Sequence, residues 1–183
     1  MRTIMITALV MLAAAGASAE QFTSTASIPP GSADWTETIQ VVAFDPAWGV
    51  LTGVAVYIES DIAGEVRHEN TGTGPAAWDD LLQWSYTVAL PHETVLISQA
   101  GSSVSFGDLG TYDGTLDFAG ASGATEGFAT GSNTGGMLPS VRRENFVGPG
   151  MMDLVVSIDG DALLNQTGDG SKESSMTAGA TVT

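Results

Sequence analysis

The chain has 183 residues, with 21 Asp and Glu against 5 Lys and Arg, a formal charge of -16 and no cysteine. That acidity excludes a nucleic-acid partner held through a basic surface, because such binding depends on cations that neutralise phosphates. The missing cysteines exclude a disulfide scaffold, thiol catalysis, cysteine-bound zinc and a cysteine-linked lipid anchor.

The N-terminus has the order of a secretory signal. Arg2 supplies a positive charge, residues 4–15 form an apolar run with a single Thr, and Ala17-Ser18-Ala19 is a small-x-small site just before Glu20. The apolar run is shorter than the about 20 residues a bilayer span needs. The expectation is a cleaved signal peptide over 1–19, cut between Ala19 and Glu20, and one domain over 20–183. Cleavage removes one Arg and no acid, so the mature chain is more acidic still. Export without cysteine fits a bacterial protein outside the cell or in the periplasm. No later apolar run is of membrane-span length. Thr181-Val182-Thr183 offers no anchor tail, and Leu138-Pro139-Ser140-Val141 is not a sortase signal.

The body reads as strands. Phe22 to Ile28 is a short candidate, and Thr36 to Phe44 and Val50 to Glu59 are apolar on both faces, as central strands of a sandwich are. Glu65 to Thr71 is a further candidate. Ala76 to Gln83, with Pro75 at its start and Asp79-Asp80 in an early turn, reads as a short helix. Trp84, Tyr86, Val88 and Leu90 then alternate with polar or small residues, the period of a half-buried strand. Thr94 to Ser98, Ser103 to Phe106, Thr115 to Phe118 and Gly123 to Thr130 are short candidates, and residues 120–136 as a whole read as a long loop or irregular strand. Leu154, Val156 and Ile158 alternate clearly, as do Met176, Ala178, Ala180 and Val182. Turns are expected at Pro29-Pro30-Gly31, Asp45-Pro46, residues 72–75, Asp113-Gly114, Gly135-Gly136, Pro149-Gly150 and Asp159-Gly160. The expected fold is all-β, a single antiparallel β-sandwich of jelly-roll type.

The residues that could carry chemistry form no complete catalytic motif. His68 and His92 are each followed by Glu, but Gly72 and Leu96 stand where a second zinc-binding histidine would be. No Gly-x-Ser-x-Gly elbow or phosphate-binding glycine loop occurs. Paired carboxylates for glycoside hydrolysis arise by chance among so many acids, so no catalytic residue is named. Calcium is a possible ligand, because it takes six to eight oxygens from carboxylates and loop carbonyls. The candidate residues are Asp108 and Asp113 in one loop cluster and Asp159 and Asp161 in another. Neither cluster completes a calcium motif, and Asp-Gly is also an ordinary turn pair, so no cofactor is assigned. Trp48, after Asp45-Pro46, and Trp78, beside Asp79-Asp80, are the tryptophans best placed for exposure and hence for stacking on a sugar ring.

The segment Asp34-Trp35-Thr36-Glu37-Thr38-Ile39, followed by Phe44-Asp45-Pro46-Ala47-Trp48-Gly49-Val50-Leu51-Thr52-Gly53-Val54, resembles the start of choice-of-anchor E domains. Val147-Gly148-Pro149-Gly150-Met151-Met152-Asp153-Leu154-Val155-Val156-Ser157 and the strand 174–183 resemble the end of that family. The resemblance implies a secreted bacterial surface domain without established catalytic residues. This chain departs from the family in lacking both the anchor tail and an aromatic-rich final strand.

The functional expectation is a non-enzymatic extracellular or cell-surface protein, a matrix or adhesion component that binds polysaccharide or a matrix protein, or associates with copies of itself. Three alternatives stay open. They are a calcium-dependent carbohydrate-binding module, a fibre subunit pairing through its N-terminal strand, and a glycan-active hydrolase.

Overall fold

The structure, a computed structural model, describes residues 5–9, 20–92 and 94–183. The expected signal peptide therefore lies largely outside the described residues, as does Ala19 of its cleavage junction. Alternating side chains dictate the strands. In β3 (Trp35–Val42), Ile39 and Val41 are buried while Thr38 and Gln40 face water. In β8 (Met151–Gln166), Leu154, Val156 and Ile158 are buried on one face. The other strands are β1 (Met5–Leu9), β2 (Thr23–Ser32), β4 (Ala55–Asn70), β5 (Ala76–Ala89), β6 (Val95–Leu109), β7 (Gly123–Met137) and β9 (Gly170–Val182). Two short 3-10 turns, Pro46–Trp48 and Ser140–Phe146, complete the regular structure among the described residues. None of the described helices is long and apolar enough to cross a membrane.

All strand pairs are antiparallel. One sheet has the order β1-β2-β9-β4-β7 and the other β3-β8-β5-β6. From β2 onward the chain switches sheet at every connection except the β5-to-β6 hairpin. That gives two facing four-stranded sheets with jelly-roll connectivity, and β1 pairs onto the β2 edge of the first. Between the sheets lie Ile39, Ile58, Ile62, Val88, Val156 and Ile158, each with 2% exposure or less. Burying a side chain of this kind stabilises the fold by about 1.5–3 kcal/mol.

Several local expectations are corrected. Ala76 to Gln83 is strand, not helix, because its even positions continue the inward series of Trp84, Tyr86 and Val88. Residues 120–136 are mostly the regular strand β7, in which Gly135-Gly136 pair with Tyr57 and Val56 rather than turning. Asp159-Gly160 likewise lies within β8, opposite Ser85 and Trp84. Pro29-Pro30 does not reverse the chain but sits at a register shift in β2 between Ile28 and Gly31. Prolines are tolerated at such irregularities of outer strands. The two short candidates near 94–106 form one strand, whereas Thr115 to Phe118 is loop.

The sixteen residues of β4 make it about 50 Å long at about 3.3 Å per residue. It spans the molecule and defines two ends. One holds the N-terminal segment at Glu20, the β3-to-β4 and β7-to-β8 connections and the β5-to-β6 hairpin. The other holds the β4-to-β5, β6-to-β7 and β8-to-β9 connections.

Candidate functional site

A buried polar cluster lies at the second end. His68 of β4 and Asp80 of β5 both point inward, and His68 Nε2 lies 2.8 Å from Asp80 Oδ2 and 3.0 Å from Oδ1. Its other nitrogen, Nδ1, is 3.1 Å from Gln166 Oε1, while Gln166 Nε2 donates to the Glu69 carbonyl at 3.2 Å. That second bond fixes which way the Gln166 amide points. Both imidazole nitrogens are thus engaged, Nδ1 by Gln166 and Nε2 by the Asp80 carboxylate. Trp78 stacks on the imidazole, with centroids 4.8 Å apart and planes at 19°. Both side chains of the His68 and Asp80 pair are fully buried. Buried polar groups are tolerated when they are hydrogen-bonded, as the His68 and Asp80 side chains are here.

Glu69 points to the opposite face of β4, beneath the 110–122 loop. Its Oε2 accepts the Phe118 N–H at 2.7 Å, and among the described residues its Oε1 is the one buried side-chain oxygen or nitrogen without a partner. Asn70 ties the same end together: its Nδ2 donates to the carbonyls of Gly74 and Gly110, and its Oδ1 accepts from Gly72 N–H. These contacts tie the 71–75 and 110–122 loops to the end of β4.

The first end differs among the described residues. A cleft of about 570 Å³ is lined by Phe22, Phe44, Leu51, Val54, Met137 and Phe146, with Thr23, Ser24 and Thr183 also contributing. Beside it the Asp45 carboxylate accepts the Ala47 N–H at 2.8 Å and starts the short 3-10 turn that carries Trp48. Trp48 is 52% exposed, with its ring 5.2 Å from Phe22 and edge-on to Phe44 at 5.8 Å.

The predicted site residues divide accordingly. Trp48 is exposed as expected. Trp78 is corrected to a core residue with 5% exposure, since strand alternation turns it inward. Glu20 lines the cleft. The metal candidates are spread apart. Asp159 and Asp161 are exposed on one face of β8, opposite Ser85 and Gln83, whereas Asp108 lies opposite Ala77, about 20 Å away along the sheet. Asp113 is in the 110–122 loop, with its Oδ1 on Thr115 N–H. Among the described residues no three His, Asp or Glu converge as a metal centre requires. His92, exposed in the β5-to-β6 hairpin, is at the opposite end from His68, so the two cannot share a ligand. Pattern reading missed the partnership of His68 with Asp80. Its available signal was a lone carboxylate, Asp80, on the inward face of an apolar strand.

No family model matches the chain, and no curated protein matches it. Among solved structures, a chain of the infectious bursal disease virus Gx strain is 14% identical, with a TM-score of 0.28, over 93% of this chain and 36% of that one. A VP2 subviral particle of infectious bursal disease virus is 17% identical, with a TM-score of 0.25, over 93% and 36%. This chain spans about a third of theirs, and a likeness at such scores carries no functional argument.

Proposed function

We propose that this chain is a non-enzymatic extracellular or cell-surface protein of bacterial origin that works by associating with copies of itself in a matrix or surface layer. The observation that carries the reading is a contrast in exposure. The His68 and Asp80 pair, the group best suited to proton transfer, is sealed from solvent. Large apolar side chains instead stand on the outside, Phe106 at 79% and Val104 at 66%. Apolar side chains gathered on one strand of an acidic domain are the kind of surface that another molecule covers. The signal-like N-terminus and the resemblance to choice-of-anchor E domains support the location. Light scattering on the chain beginning at Glu20 should give a mass that rises above the monomer with concentration. A monomer mass throughout would sink the reading.

A second reading has its own support. Trp48 projects beside a hydroxyl-bearing cleft, as a sugar-stacking residue would, and makes a polysaccharide the ligand of that end. Titration with extracellular polysaccharide should then quench tryptophan fluorescence, and Trp48→Ala should abolish the change. Quenching that persists in Trp48→Ala would move the ligand elsewhere.

A further inference from the structure

The two flanks of the sandwich are built differently. On one, β2 lies over β3, and this flank carries several devices that stop one sheet adding to another. β2 contains Pro29, Pro30 and a register shift. β3 carries the partly exposed Glu37 on its inner side, and its final N–H, at Val42, donates to Ser24 Oγ at 3.0 Å.

The opposite flank, formed by β6 and β7, has almost none of these. Among the described residues β6 pairs only with β5. The carbonyl of Val95, its first residue, is taken by Arg142 Nη1 at 2.7 Å, and the one register irregularity falls beside it, at Leu96. From Ile97 to Gly107 the strand is regular and has no charged residue and no proline, in a chain whose formal charge is -16. Its outward side chains are Ser98, Ala100, Ser102, Val104 and Phe106, all exposed. Leu81 of β5 lies opposite Val104 and also opposite Leu163 of β8, which is 56% exposed, so an apolar row crosses the sheet.

We infer that β6 pairs antiparallel with β6 of a second copy, joining two four-stranded sheets into one continuous eight-stranded sheet. This rests on the self-association reading and names its surface. Two arguments select a second copy as the occupant. An antiparallel pair of identical edges is self-complementary, the relation a two-fold dimer needs. Two strongly acidic molecules also approach at least cost along their uncharged strands, because like charges facing one another across an interface cost several kcal/mol. Antiparallel pairing about the middle of β6 keeps each Asp108 away from its copy and gives Val104 and Phe106 cross-strand neighbours. β2 is less suited to the role, since Pro29, Pro30 and the register shift between Ile28 and Gly31 interrupt its ladder.

The test uses the chain from Glu20. Val104→Lys and Phe106→Lys replace exposed residues, so their melting temperatures should match the parent within a few degrees. The dissociation constant of the dimer should rise roughly tenfold or more. Because the chain has no cysteine, Ser102→Cys gives an independent reading: mild oxidation should yield a covalent dimer, and Thr25→Cys on β2 should not. If the parent associates while both lysine variants associate equally well, or if only Thr25→Cys cross-links, the β6 pairing is wrong and self-association stands. A parent that stays monomeric overturns both.

Discussion

His68 is the residue whose environment departs furthest from its local sequence. Nothing in Arg67-His68-Glu69 distinguishes a buried imidazole from a loop histidine, because its partners come from positions 78, 80 and 166. The same holds for Trp78, which alternation turns inward against partners distant in sequence, His68 and Leu109. Trp48 was legible because its placement is local: Asp45-Pro46 starts a turn and Gly49, at φ 137°, ends it. The structure predicts that Asp80→Ala destabilises the fold by about 3–5 kcal/mol, since it leaves a buried imidazole facing no carboxylate. Urea unfolding followed by far-UV circular dichroism measures this. A loss below about 1 kcal/mol would mean that the pair is open to water.

At the level of strands, alternation carried the argument wherever the inward residues were apolar. β8, β9 and the second half of β5 were legible for that reason. The reading failed where glycine or a buried polar group replaced an apolar residue. Gly101 and Gly107 of β6 are strand residues because the rings of Trp84 and Trp78 occupy the space a side chain would need. A Cβ on Gly101 would lie 2.7 Å from the Trp84 indole. Gly101→Val should therefore force the ring, stacked on Phe128 at 5.8 Å, out of place at a cost of about 1–3 kcal/mol. Thermal melts and tryptophan fluorescence should show a lower midpoint and a changed emission maximum. An unchanged melt would show that the ring moves without cost. Glycine-rich β7 was legible only as a long loop or irregular strand for the same reason: its regularity is set by fifteen residues of register with β4 and not by its own side chains.

For the molecule as a whole, composition already pointed to an acidic all-β domain, and the sheets add where the charge is missing. Carboxylates such as Asp153, Asp159 and Asp161 lie on the outside of β8, while β6, at the edge of the same sheet, is uncharged to Gly107. That distribution was not visible in the linear sequence, because which strands form edges depends on the order of pairing. It also implies a salt response. Long-range repulsion between two acidic copies weakens as the screening length falls from about 10 Å at 0.1 M to about 3 Å at 1 M salt, whereas edge pairing and apolar contact persist. The decisive measurement is sedimentation velocity on the chain from Glu20 over a hundredfold concentration range in both salts. A dimer that grows with concentration and grows further at 1 M is the expected result. A single monomeric species at every concentration in both salts would refute self-association as the working principle of this protein.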